Sequence, residues 1–145
     1  MTETFESHSP EATFEFGNKL GQTLKGGDII LLYGGLGAGK TLLTKGILSA
    51  LDFDIDEVTS PSFTLVNVYK TPKFNVHHID LWRISDDSDA AFAVGLDEIV
   101  DDEISVTIIE WAEKLGGYKL PGRMITVELS GDGDEPRMIV YNRSA

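Results

Sequence analysis

Gly34-Gly35-Leu36-Gly37-Ala38-Gly39-Lys40-Thr41 fulfils the pattern G-x-x-x-x-G-K-[ST], a spacing suited to holding phosphate. Glycines let the backbone N–H groups of residues 37–41 close around phosphate oxygens, and the start of a helix adds partial positive charge. In such a loop Lys40 reaches the β- and γ-phosphates as a point charge. The Thr41 hydroxyl supplies one ligand to a Mg²⁺ ion that bridges those phosphates. The expected ligand is a nucleoside triphosphate, ATP with Mg²⁺. Its expected contacts are Gly35, Gly37, Ala38, Gly39, Lys40, Thr41 and Leu42.

Phosphate chemistry in such a site also needs a carboxylate at the end of a neighbouring strand, to hold the metal or orient water. Two positions qualify. Glu110 follows the apolar run Val106-Thr107-Ile108-Ile109, and Asp80 follows Val76-His77-His78-Ile79. Each is expected to emerge at a strand's carboxyl end, where α/β sheets bind ligands. The catalytic candidates are therefore Lys40, Asp80 and Glu110, and the metal candidates are Thr41 with one of the two carboxylates, a choice the residues alone leave open. His77 and His78 are adjacent on a strand and point to opposite faces, so one buried and one exposed histidine is expected rather than a shared metal. Trp82 and Trp111 read as core packing at strand ends, Arg83 as a phosphate or partner contact or a salt bridge. Asp132, Asp134 and Glu135 read as turn residues, since they lack calcium-loop spacing.

These side chains need a frame. Ser9-Pro10-Glu11 reads as a helix cap, and Ala12, Phe16, Leu20 and Leu24 recur every four residues until Gly26-Gly27. Residues 28–33 form an apolar run suited to a strand buried on both faces, followed by the glycine loop and a helix over residues 39–51. Further strands are expected over residues 63–69, 74–81, 105–111, 124–129 and 137–141. A short helix over residues 90–100 precedes the third of these, and a hairpin at residues 131–134 joins the last two. The expected fold is α/β, a three-layer P-loop NTPase domain spanning residues 1–145, with a partly parallel mixed sheet and a C-terminal hairpin.

The formal charge of −12, from 24 acidic against 12 basic residues, disfavours direct, autonomous nucleic-acid binding, because a reader of phosphate backbones presents a basic face. Eight of the eighteen residues from 86 to 103 are acidic and none is basic, which fits a solvated helix face or a docking surface for a basic partner. No apolar stretch is long enough to span a bilayer, and no secretory or transit pattern opens the chain, so a cytoplasmic protein is expected. The absence of cysteine removes disulfides and thiolate chemistry.

Four segments together resemble the small bacterial TsaE (YjeE) ATPases, which take part in making the threonylcarbamoyladenosine modification of tRNA. They are the phosphate loop at residues 34–41, Thr59-Ser60-Pro61-Ser62-Phe63-Thr64-Leu65-Val66-Asn67, His78-Ile79-Asp80-Leu81-Trp82-Arg83, and Ile109-Glu110-Trp111. The resemblance covers most of the chain. It implies a switch-like loop at residues 59–63, metal and water duties for Asp80 and Glu110, the Walker B part for Glu110, and Trp111 beside the nucleotide. It also implies two partners, TsaB and TsaD, the latter the tRNA-modifying transferase. Gly35 replaces a usual Asp, Ser62 a Thr, Trp82 a Tyr and Ala112 a Pro. The first removes an acid beside the phosphates; the substitutions at 62 and 82 keep a hydroxyl and an aromatic ring.

Two other activities compete with a partner-dependent ATPase. A small-molecule kinase needs a lid and commonly several arginines, whereas the chain has only Arg83, Arg123, Arg137 and Arg143. A nucleotide-dependent binding switch with negligible turnover is compatible with the lack of an identifiable arginine finger. Specificity for GTP is disfavoured, since Asn18-Lys19 precedes the phosphate loop rather than following it as part of an Asn-Lys-x-Asp motif.

Overall fold

The computed structural model describes residues 2–34, 39–58, 66–81, 104–115, 123–131 and 135–143. Seven strands form one mixed sheet: β1 (Thr2–Ser7), β2 (Ile29–Tyr33), β3 (Val66–Lys70), β4 (Asn75–Asp80), β5 (Ser105–Glu110), β6 (Met124–Ser130) and β7 (Arg137–Arg143), in the order β1-β7-β6-β2-β5-β4-β3. Helix α1 spans Pro10–Gln22 and α2 spans Lys40–Ala50. The four central strands, β6, β2, β5 and β4, are mutually parallel. Antiparallel pairs close both sides, β3 on β4 at one edge and the β6–β7 hairpin with β1 at the other.

The apolar run that opens the phosphate loop becomes the strand between β5 and β6, and its alternating side chains serve two cores. Ile30 and Leu32 pack with Val76, Ile108, Ile125 and Val127 against Leu20, Leu43, Ile47 and Leu48 of the two helices. Ile29 and Leu31 join Ile79, Leu81 and Ile109 on the opposite face. Burying each such side chain stabilises the fold by about 1.5–3 kcal/mol. Both described helices lie on one face of the sheet. The helix expected over residues 90–100 lies outside the described residues.

The Ser9 hydroxyl accepts the Ala12 N–H at 3.1 Å and Pro10 opens α1, as the cap pattern requires. The helix ends earlier than Gly26-Gly27, because Thr23 closes it: its N–H and its hydroxyl donate to the Leu20 carbonyl at 3.0 and 2.7 Å. Strand β1 is a feature the sequence pattern did not announce. Its side chains are exposed apart from Ser7, and it is held by pairing with β7 and by Phe5 stacking on Phe16 at 5.5 Å. The β6–β7 hairpin forms as expected. No helix among the described residues is long and apolar enough to cross a membrane.

Helix α2 is seated by backbone-on-backbone contact with α1. A Cβ at Gly46 would lie 2.1 Å from the Phe14 carbonyl oxygen, and one at Gly17 would lie 2.3 Å from that of Leu43. Neither neighbour can swing aside, so the helices must part to admit a methyl group. Gly46→Ala is expected to cost about 1–3 kcal/mol, the usual penalty of overpacking, read as a lower urea midpoint with an unchanged slope. A midpoint equal to that of the unaltered chain would mean that the helices separate freely.

Candidate functional site

Strand β2 delivers the chain to Gly34, and α2 resumes at Lys40 after a Gly39 cap with φ 107° and ψ 18°. That left-handed conformation is open to glycine at little cost and strains most other residues. Gly39 has no side chain with which to cap this helix, so among the described residues its first N–H groups keep their hydrogen-bonding capacity beside the positive end of the helix dipole. Gly35, Gly37 and Ala38, three of the expected nucleotide contacts, lie outside the described residues. Thr41 and Leu42 are half-buried in the first turn of α2.

Lys40 is 6% exposed, Asp80 5% and Glu110 3%, and the two carboxylates are near enough to act on the charge of Lys40. Asp80 and Glu110 are the last residues of parallel neighbours β4 and β5, directly opposite each other in register, and Glu110 stands opposite Leu32 of β2. The Leu81 N–H donates to the Glu110 carbonyl at 3.2 Å and ties the two strand ends. Both carboxylates therefore sit at the carboxyl end of the parallel sheet, on the side from which the chain leaves β2 at Gly34.

The Lys40 ammonium donates to the Gly34 carbonyl at 2.6 Å and lies 3.6 Å from the centroid of the Trp111 ring. Trp111 adopts φ 59°, a rare conformation for a bulky residue and of the kind that clusters at functional sites. Burial pulls the Lys40 amine below the ordinary lysine range, opposed by the charges of Glu110, Glu113 and Asp80. The Glu113 carboxylate accepts the Gly34 N–H at 3.3 Å. Burial, helped by Glu113 and Glu128, raises the Tyr33 phenol above its usual range.

Two participants escaped the sequence pattern. Glu113 lies three residues beyond Glu110, but only the turn made by residues 112–115 brings it under Gly34. His78 is the buried member of the histidine pair, as expected of one of them, yet it is no passive core residue: its Nε2 bonds the Glu110 Oε2 oxygen. Its place two residues before Asp80 on one face of a strand was the only hint. Trp82, Arg83 and the expected switch loop at residues 59–63 lie outside the described residues.

Among the described residues no group of three or more His, Asp or Glu side chains forms a metal cage. Thr41, Asp80 and Glu110 offer hard oxygen donors of the type Mg²⁺ prefers when phosphates and water complete its shell. The family model described as threonylcarbamoyl adenosine biosynthesis protein TsaE matches residues 7–139. The chain belongs to the TsaE family. The match spans Lys40, Asp80, Glu110 and every described element except most of β1 and of β7.

Named relatives agree with this TsaE assignment. The chain is 34% identical to the tRNA threonylcarbamoyladenosine biosynthesis protein TsaE of Rickettsia bellii, over 90% of this chain and 88% of that protein. It is 35% identical to the protein of the same name from Treponema pallidum, over 92% of this chain and 95% of the other. In three dimensions it resembles the crystal structure of Bacillus subtilus YdiB with a TM-score of 0.77 at 27% identity, covering 100% of this chain and 87% of that one. The mixed α/β sheet, with the glycine-rich segment between β2 and α2, is thus the P-loop NTPase-like fold expected from the sequence.

Proposed function

We propose that this chain binds ATP with Mg²⁺ through residues 34–41 and hydrolyses it as an accessory of tRNA threonylcarbamoyladenosine biosynthesis, acting with TsaB and TsaD type proteins in the cytoplasm. One observation carries the reading: a buried, desolvated Lys40 shares its surroundings with two buried strand-end carboxylates, Asp80 and Glu110, at an uncapped helix start. A lysine kept from water beside carboxylates, at a helix start that Gly39 cannot cap with a side chain, suits a triphosphate and its metal better than any neutral ligand. Thr41 and Glu110 would hold Mg²⁺, which would supply charge neutralisation across the β- and γ-phosphates.

Turnover by the chain alone is expected to be slow. Each described arginine is bonded away from the strand ends that carry Asp80 and Glu110: Arg123 to Asp28, Arg143 to Thr23, and Arg137 to the Glu135 carbonyl. Among the described residues no arginine is placed for the transferring phosphate, Arg83 lying outside them, and a P-loop site without one hydrolyses poorly until a partner completes it. The family name, the acidic surface and the resulting division of labour all support an ATPase that leaves RNA contact to its partners.

The test is Mg²⁺-dependent phosphate release from ATP and from GTP, with the chain alone and with TsaB and TsaD type partners added. Release that prefers ATP and rises with partners supports the proposal. Tight nucleotide binding without release in any mixture favours a binding switch and removes hydrolysis from the description.

A further inference from the structure

Glu110 is the last member of a row of polar side chains that crosses three adjacent strands inside the core. The Asn67 amide on β3 donates to the Tyr69 hydroxyl oxygen at 3.3 Å, that oxygen lies 3.3 Å from His78 Nδ1 on β4, and His78 Nε2 bonds Glu110 Oε2 on β5. His78 is 0% exposed and Tyr69 6%. The two rings lie 5.9 Å apart, and Phe53 packs on Tyr69 at 4.9 Å. Packing therefore locks the row in place.

The hydrogen bonds of the row run in one direction. A carboxylate oxygen only accepts, so His78 Nε2–H donates to Glu110. With its proton on Nε2 the ring offers Nδ1 as an acceptor to the Tyr69 hydroxyl, whose oxygen in turn receives the Asn67 amide. Every group finds a partner of the right kind in this arrangement. A buried residue that fixes the tautomer and angle of a metal-site neighbour is a common requirement for tight metal binding.

We propose that His78 is a positioning residue that clamps one oxygen of Glu110 toward β4 and reserves the other for Mg²⁺ or the attacking water, with Tyr69 fixing the imidazole tautomer. His78 itself touches no ligand and acts only through Glu110. The inference rests on the reading of Glu110 as the site's working carboxylate.

Two polar substitutions separate positioning from bulk structure. His78→Gln places its amide where imidazole Nε2 stands and still reaches Glu110, whereas His78→Asn places its amide near Nδ1 and falls short. Both are compared with the unaltered chain, and with Tyr69→Phe, in Mg²⁺-dependent ATP hydrolysis and in Mn²⁺ binding to the ADP-loaded protein followed by electron paramagnetic resonance. His78→Asn is expected to lower kcat by about 10- to 100-fold and to weaken Mn²⁺ by about tenfold, as for other residues that orient a metal ligand. KM for ATP should change less than about twofold, because the interaction lost is not one of substrate binding. His78→Gln should restore most of both losses, with Tyr69→Phe between the two. Wild-type kcat and Mn²⁺ affinity in His78→Asn would overturn the proposal, as would equal losses in Asn and Gln variants that melt normally. If the unaltered chain binds Mn²⁺ with nucleotide but releases no phosphate, hydrolysis fails as the function and the Mn²⁺ comparison alone decides the role of His78. Absence of Mn²⁺-nucleotide binding by the unaltered chain overturns both.

Discussion

Lys40→Ala is expected to abolish Mg²⁺-dependent phosphate release, a fall of at least about 10²–10³ in kcat, the scale seen when one preorganised donor is lost from a charge-stabilising site. The Lys40 ammonium is held 2.6 Å from the Gly34 carbonyl and against the Trp111 ring, and in the proposed reaction it exchanges these contacts for β- and γ-phosphate oxygens. Cation–π contact with Trp111 contributes about 0.5–2 kcal/mol, little against a phosphate charge in a water-poor pocket, so the exchange favours the nucleotide. The fold should survive. Desolvation outweighs the attraction of Glu110, Glu113 and Asp80 for the Lys40 ammonium, so its charge is a net burden on the folded chain. The sign follows: with its folded pKa below the unfolded value, Lys40 costs stability at neutral pH, and the cost fades as pH rises through the lowered pKa. Lys40→Met, which keeps the stem over Trp111, should therefore show no large loss of stability near neutrality and no relative gain in alkali. Urea unfolding at several pH values reads this directly. Retained ATP turnover in Lys40→Ala would remove Lys40 from the mechanism.

The parts of this architecture that were legible in advance are those whose own residues state their environment. The run Ile29-Ile30-Leu31-Leu32-Tyr33 is apolar at every position because both faces of β2 are covered, and the cap at Ser9 acts within four residues of chain. The places of Lys40, Asp80 and Glu110 at element ends were legible because each ends or begins an element whose pattern is plain. Strand β1 was hidden because its residues, exposed from Thr2 to Glu6, carry no apolar alternation; the β7 edge supplies the pairing. The bond between His78 and Glu110 was hidden for a different reason. It joins residues 32 apart and exists only because β4 and β5 pair in parallel with Asp80 opposite Glu110, a register no local pattern specifies. The positive φ of Trp111 likewise comes from the surrounding structure, since tryptophan has no intrinsic preference for it.

Glu110→Ala is expected to cut kcat by about 10²–10⁴, the range supplied by a positioned carboxylate that orients water or takes its proton, and to raise the Mg²⁺ concentration needed for activity. Glu110→Gln separates these duties. The amide keeps the shape and can still meet His78 through its carbonyl oxygen, but it offers the metal no charge. The loss in the two variants should be similar if charge matters and smaller in Gln if only orientation matters. Stability should move the other way between them, because Ala leaves the buried His78 Nε2 without its partner, at a cost of about 1–3 kcal/mol, whereas Gln keeps an acceptor there. Asp80 provides the internal comparison: it is buried beside Glu110 at the same sheet end but carries no bond to His78 among those observed at that ring. If Asp80→Asn lowers turnover more than Glu110→Gln while leaving Mg²⁺ dependence unchanged, the water-orienting role belongs to Asp80 and Glu110 holds the metal. A Glu110→Ala protein with undiminished turnover would mean that the carboxylate clamped by His78 serves the fold alone.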